Sequence, residues 1–233
     1  MNCELSTVNG GERFFVWMGG ALFAAALVLL AWWHLVWLAR PRPFSGWPPT
    51  SVDVALFVMF ALHHSALARP AMKALLARAC PEHLLRSVYV WTASLLLILV
   101  CLLWRPIGGE VFRNTGPLAL LHATVQLAGL TLIVLSVRAI DALQLAGIRP
   151  SPVVDLRVSG PFRFVRHPLY LGWMLIVLGP AHMTGDRLAF AATSSLYLVV
   201  AMPWEERSLE QAFGDAYRRY KQHVRWRVVP YIY

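Results

Sequence analysis

Charged residues are scarce in this chain of 233 residues, of which only 14% are Asp, Glu, Lys or Arg. Soluble domains average about 25% charged residues, whereas 58% of this chain is hydrophobic. The shortage of charge excludes an ordinary soluble domain and indicates an integral membrane protein of one domain. The 21 basic residues outnumber the 12 acidic ones, but they lie in short loops between apolar runs. We therefore expect no nucleic-acid binding.

Cysteine and the common catalytic signatures are equally scarce. Cys3, Cys80 and Cys101 are far apart and lack metal-ligand spacing, so neither a disulfide framework nor a metal centre is predicted. The sequence has no GxGxxG motif after a strand, no Walker lysine loop, no nucleophile elbow and no HExxH motif. These absences argue against a soluble Rossmann-type domain, a P-loop enzyme and a zinc protease.

Long apolar runs are what the chain does have. A bilayer needs about 20 apolar residues per helix, and the last two runs, of about 16 residues or about 24 Å each, barely span it. We predict an all-α integral membrane protein with about six membrane-embedded helices, the last two a short hairpin, followed by an amphipathic interfacial helix. The predicted spans are 14–38, 52–68, 87–104, 118–137, 168–183 and 188–203, and the interfacial helix is 205–224.

A basic segment precedes the predicted hairpin. Proline favours extended geometry in the residue before it and suits the first position of a helix, so His167 should precede a helix that begins at Pro168. Arg163, Arg166 and His167 would then gather at the helix N-terminus, with Tyr170 one turn inside. Such an end favours an anionic ligand. A basic flank on the cytoplasmic side with an interfacial tyrosine explains the same residues.

Two carboxylates follow the last apolar run. Glu205 and Glu206 come directly after Pro203 and Trp204. Adjacent helical residues point about 100° apart, so the two carboxylates cannot share one partner equally. They could be salt-bridged caps at the membrane boundary, or one could face a cationic or hydroxyl-rich ligand.

Three histidines lie at or near span ends. We expect His34 to be interfacial, because Trp32, Trp33 and Trp37 around it suit an aromatic belt. His63 and His64 diverge on their helix, so they are not a metal pair. Either one of them faces the bundle interior, where ionisable groups mark functional sites, or both cap the helix at the interface.

The segments RHPLYLG, EE and FGDAYRRY, in that order in the last third of the chain, resemble the isoprenylcysteine carboxyl methyltransferase superfamily. The resemblance implies an integral membrane enzyme that uses S-adenosylmethionine, with residues 14–140 supplying spans and 141–233 the cofactor-binding catalytic half of one domain, 1–233. It implies a cofactor pocket formed by Arg166, His167, Pro168, Leu169, Tyr170, Gly172, Glu205 and Glu206 and closed by Tyr217 and Tyr220. The candidate catalytic residues are Arg163, Arg166 and Glu206.

A second resemblance covers the middle of the chain. HSALARPAMK, RSVYVWTASLLL and WRPIGG are similar to the methanethiol S-methyltransferase branch and to the denitrification membrane proteins. This implies methyl transfer to a small lipophilic acceptor, and a thiol is favoured. An arginine could lower the pKa of a thiol or pair with a carboxylate. The alternatives are a prenylcysteine carboxyl O-methyltransferase and a non-enzymatic denitrification-accessory protein.

The basic residues also predict orientation. Sixteen of the 21 lysines and arginines lie at the N-terminus, in the loops after the second and fourth runs, and at the C-terminus; five lie on the opposite side. Because cytoplasmic loops carry the excess of Lys and Arg, both termini and the longest loop should be cytoplasmic in a multi-pass inner-membrane protein in contact with lipid.

Overall fold

The computed structural model describes residues 9–149 and 156–233, most of them in helices. Five helices are long and apolar enough to cross a membrane, the first continuing as a π-helical turn, Trp33–Trp37. They are α1 (Gly10–Trp32), α2 (Pro48–Ala68), α4 (Leu85–Leu103), α5 (Gly116–Ile140) and α8 (Gly185–Phe213). The shorter helices are α3 (Pro70–Leu76), α6 (Ala142–Leu145), α7 (Pro168–Leu178) and α9 (Asp215–His223), with 3-10 turns at Glu82–Leu84 and Gly160–Arg163.

The predicted all-α membrane bundle is confirmed, with α7 as the shorter sixth apolar helix. The bounds of the last hairpin differ from the prediction. Helix α7 ends at Leu178, and α8 continues through Pro203 to Phe213, so the separate helix predicted for 205–224 is divided between α8 and α9. Proline is tolerated inside membrane helices because neighbouring groups can satisfy the backbone carbonyl that it frees. The break falls instead at Gly214, whose φ of +53° favours glycine.

A small antiparallel sheet, which the sequence did not predict, closes one end of the bundle. Strand β1 (Glu110–Arg113) pairs with β2 (His182–Thr184). Beside it, the buried carboxylate of Asp186 accepts hydrogen bonds from the Trp104 indole at 3.1 Å and from the Ile107 and Gly108 backbone amides at 2.9 and 3.0 Å. These bonds tie the start of α8 to the loop after α4.

Aromatic side chains form the core on the same side. The Phe190 ring on α8 lies 5.1 Å from the Trp33 ring and 6.0 Å from the Trp104 ring, centre to centre, in edge-to-face geometry. His34 is only 4% exposed and tilts against Phe190 at 5.9 Å. The interfacial prediction for His34 is therefore wrong: the π-helical turn directs its ring inward. Arg187 donates to the His34 and Leu35 carbonyls of that turn.

Two glycines let α5 and α7 approach closely. A Cβ on Gly172 would lie 2.7 Å from the Gly129 carbonyl oxygen, and a Cβ on Gly129 would lie 2.7 Å from that of Gly172. Small residues at such crossings are typical of membrane helices. The structure thus places Gly172 at a helix–helix contact.

The bundle has two distinct ends. The sheet end holds the segments 38–47, 104–115 and 179–184. Backbone hydrogen bonds join them: the Ser45 N–H donates to the Ile107 carbonyl at 2.8 Å, and the Asn114 N–H donates to the Ala181 carbonyl at 2.8 Å. The other end, which we call the site end, holds the described parts of the longest loop together with α9 and the segment after it. There the Tyr220 hydroxyl donates to the Phe162 carbonyl at 2.7 Å.

Candidate active site

Glu206 contacts three basic side chains at the site end. Its carboxylate is only 6% exposed. Oε1 accepts from Arg166 Nε at 2.7 Å and lies 3.3 Å from His167 Nε2. Oε2 accepts from Arg227 Nε at 3.3 Å. One buried carboxylate therefore joins the segment before α7, the end of α8 and the segment after α9.

Arg166 and His167 are also fixed through the backbone. The Arg166 N–H donates to the Trp226 carbonyl at 2.9 Å and the His167 N–H to the Arg227 carbonyl at 2.7 Å. Arg166 Nη1 donates to the carbonyls of Val224 and Arg225 at 2.8 and 2.7 Å. We call residues 224–227 the clamp segment. Because these bonds consume most donors of Arg166, its guanidinium is held rigidly.

The prediction that His167 precedes a helix beginning at Pro168 is confirmed. The His167 ring stacks on the Tyr170 ring with centres 5.2 Å apart. The Tyr170 hydroxyl in turn donates to Glu205 Oε2. The two adjacent glutamates point in different directions, as their angular separation predicts: Glu206 faces the buried Arg166 and Glu205 faces Tyr170. His167 lies between them, 3.3 Å from Glu206 and 3.7 Å from Glu205.

A cavity of about 580 Å³ opens beside these groups. Of the residues predicted for the cofactor pocket, the following line it: Arg166, His167, Pro168, Leu169, Tyr170, Glu205, Tyr217 and Tyr220. Glu206 lies behind the cavity lining, Gly172 lies at the α5–α7 contact, and Arg163 is exposed outside it.

Two tyrosines of α9 face the cavity. Tyr217 is 1% exposed, and its hydroxyl has no hydrogen-bond partner among the described residues. An unpaired buried hydroxyl costs stability unless a ligand satisfies it. Burial, and then the neighbouring Glu206, raise the pKa of Tyr217, while burial raises the pKa of Tyr220 to about 12. Both hydroxyls therefore stay protonated at neutral pH and can donate hydrogen bonds.

Sequence reasoning missed two cationic residues of this site. Arg227 binds Glu206, and Arg157 lines the cavity. Neither lies in a recognisable motif. The basic character of the C-terminal segment was visible, but it was explained by membrane orientation alone.

Comparison with known proteins gives the family. The family model described as phospholipid methyltransferase matches residues 125–216, which include α7 and α8. A methanethiol S-methyltransferase 2 from Bradyrhizobium diazoefficiens is 36% identical over 79% of this chain and 77% of its own length. The chain belongs to the methanethiol S-methyltransferase family.

Two further relatives are similar over more than half of the chain. Methanethiol S-methyltransferase from Pseudomonas deceptionensis is 32% identical over 78% of this chain and 74% of its own length. Nurim from Xenopus laevis is 28% identical over 63% of this chain and 58% of its own length. No solved structure matches the chain significantly. As a member of this family, the protein is a methyltransferase and a multi-pass integral membrane enzyme, and the non-enzymatic alternative is not favoured.

Proposed function

We propose that this membrane enzyme transfers a methyl group from S-adenosylmethionine to a small lipophilic thiol. The observation that carries the proposal is the cavity beside the Arg166–Glu206 pair, which Tyr170, Glu205 and Tyr217 help to line. The relatives are named methanethiol S-methyltransferases, and these names indicate a thiol as the methyl acceptor.

The residues at the cavity fit S-adenosylmethionine. The cavity volume of about 580 Å³ lies within the usual range of about 300–1,000 Å³ for small-molecule sites. Arg157 and Arg166 could bind a carboxylate, while the Glu205 carboxylate could bind an ammonium or ribose hydroxyls. Phe162 and Phe213 offer apolar faces to a base. When bound, S-adenosylmethionine supplies a methyl group on a positively charged sulfonium.

The protein contributes position and desolvation. Arg166 is held by Glu206 and the clamp segment, so a carboxylate bound to it would have a fixed orientation. Glu206 does not line the cavity and therefore acts through Arg166 and His167 as a positioning residue. Tyr217 and Tyr220 line the cavity, and exclusion of water from it would favour a reaction in which charge is lost. Because Arg163 is exposed and outside the lining, we place no chemical step on it.

The acceptor is tested by its pH dependence. Purified enzyme in detergent should methylate small alkyl thiols at a rate that rises across pH 6–9, because the nucleophile is the thiolate and simple alkyl thiols are still mostly protonated in that range. A prenylcysteine carboxylate, with a pKa of about 4, should show no such rise. The measurement is transfer of labelled methyl to both acceptor classes. Methylation of the prenylcysteine analogue alone, with a flat profile, would replace the thiol proposal by the O-methyltransferase alternative.

We also propose that the site end faces the cytoplasm. In the structure, all five basic residues predicted for the outer side belong to the sheet end of the bundle, and the excess of Lys and Arg lies at the other end, as expected for a cytoplasmic face. In a protein freed of native cysteines, Arg219→Cys should be shielded from a membrane-impermeant thiol reagent in intact cells. Thr115→Cys, near the sheet, should react. The opposite pattern would invert the proposed topology.

A further inference from the structure

An apolar groove of about 620 Å³ runs along the bundle between α2 and α8. The residues that line it are different from those that line the cofactor cavity. Alanines leave the space, because their short side chains stand among larger apolar ones that are exposed. The alanines are Ala61, Ala192 and Ala201, and the exposed apolar side chains include Leu62, Leu196 and Val200. The proposed cofactor site gives this groove no role.

Hydrogen bonds hold the two walls of the groove in place. The Ser65 hydroxyl of α2 lies 2.9 Å from the Tyr197 hydroxyl of α8, and both residues line the groove. On another side of α2, His64 Nε2 lies 2.9 Å from the Tyr89 hydroxyl of α4, whereas His63 is exposed. One histidine of the pair therefore faces the bundle interior, as one of the two interpretations predicted. Because α2 is tied to both neighbours, the groove is a preformed feature of the bundle.

Each wall of the groove leads to an arginine at the site end. Arg69 lines the groove and directly follows α2. On α8, the groove residues Val200 and Trp204 are four residues apart, and Arg207 follows three residues later on the same face. Arg69 and Arg207 are exposed, and neither has an ion-pair partner among the residues that the structure describes. Two positive charges are therefore available at this end of an apolar groove.

This arrangement fits a long apolar chain that ends in an anionic group. A small alkyl thiol would fill little of the groove and has no fixed negative charge. A phospholipid has both parts, and the bilayer supplies it. Arginine pairs with phosphate oxygens through two parallel hydrogen bonds, and basic residues at the membrane surface attract acidic lipids. The exposed Trp204 suits the level of the headgroups, where tryptophan is enriched.

We propose that the α2–α8 groove binds one acyl chain of an acidic phospholipid, whose headgroup lies at Arg69 and Arg207. The chain covers the exposed leucines of both walls and joins α2 to α8. Because Glu205 directly follows Trp204, the bound lipid also steadies the part of α8 that lines the cofactor cavity. Such a lipid is a structural ligand and not a methyl acceptor, so its binding is independent of the acceptor proposed above.

The test is native mass spectrometry of the intact protein in detergent, with phosphatidylglycerol and phosphatidylethanolamine of identical acyl chains. The wild type should retain the acidic lipid at a several-fold lower concentration than the zwitterionic one. Arg69→Gln and Arg207→Gln should each weaken phosphatidylglycerol binding about fivefold and leave phosphatidylethanolamine binding unchanged. Arg138→Gln is the matched control, because Arg138 is also an exposed arginine at the site end but lies on α5, outside the groove. Its variant should bind both lipids like the wild type.

A second variant tests the position of the acyl chain. Ala201→Phe places a large side chain in the groove, so it should weaken the binding of both lipids. Ala123→Phe is its control, because Ala123 is exposed on α5 and lies outside the groove. Phosphatidylglycerol should also raise the Tm of the wild type and of Ala123→Phe, but not that of Ala201→Phe.

Several results would overturn the lipid site. Equal affinity for the two lipids, or an equal loss in Arg138→Gln, would mean that the two groove arginines do not recognise the headgroup. Undiminished binding by folded Ala201→Phe would place the chain elsewhere; if that variant does not fold, the arginine variants decide. If S-farnesylcysteine displaces phosphatidylglycerol with the same dependence on Arg69, the groove is an acceptor site. A dimer that carries no lipid would mean that a second copy of the chain covers the groove.

Discussion

Replacing Glu206 with alanine should lower the free energy of unfolding by about 3–5 kcal/mol, because it leaves buried positive charge without its counter-ion. Glu206 is 6% exposed and holds Arg166, His167 and Arg227 at once. Breaking a buried pair by removing one partner costs more than the pair itself contributes, since the remaining charge stays desolvated. The measurement is denaturant unfolding of purified protein in detergent micelles.

Glu210→Ala is the matched control for this variant. Glu210 lies one turn further along α8, and its side chain is 34% exposed where it meets Lys221 at 2.8 Å. Exposed pairs contribute about 0–1 kcal/mol, so the control should lose less than about 1 kcal/mol. If both variants lost the same small free energy of unfolding, Glu206 would behave as an ordinary surface carboxylate. Its assigned role in joining the three segments of the site would then be wrong.

His167→Ala should weaken S-adenosylmethionine binding about tenfold or more. His167 lines the cavity, stacks on Tyr170 and lies 3.3 Å from Glu206 Oε1. Removing a partner of a charged group in a partly desolvated site costs about 1.5–3 kcal/mol, and about 1.4 kcal/mol is tenfold in affinity. Calorimetric titration of the purified protein with S-adenosylmethionine measures the change.

His122→Ala is the control for this effect. His122 is half-buried and, like His167, hydrogen-bonded, with Asn114 at 2.9 Å and the Gly179 carbonyl at 2.9 Å, but it belongs to the sheet end. Its variant should bind S-adenosylmethionine like the wild type. Unchanged affinity in His167→Ala would contradict the assignment of the cavity, and equal weakening in both variants would point to general unfolding.

Local patterns in the sequence predicted most of this architecture. Apolar runs identified every helix that can span the membrane, because hydropathy over about 20 residues is a local property. The start of α7 followed from Pro168, and the divergence of Glu205 and Glu206 followed from helical geometry. These features depend on residues close together in the chain.

Contacts between distant segments could not be predicted in the same way. Two pairings join segments that are far apart in the chain: residues 166–167 pair with 226–227, about 60 residues away, and β1 pairs with β2, about 70 residues away. No periodic pattern in the sequence indicates either pairing. His34 was misplaced because its aromatic neighbours suited an interface as well as a core. The continuity of α8 through Pro203 was hidden because proline ends soluble helices more often than membrane ones.

The clamp segment also sets an order of events during synthesis. Every apolar helix can enter the bilayer before residues 224–227 have left the ribosome, since all of them precede that segment in the chain. The backbone N–H groups of Arg166 and His167 donate to carbonyls of that segment. Insertion of the apolar helices can therefore precede completion of the site, which needs a segment made after all of them.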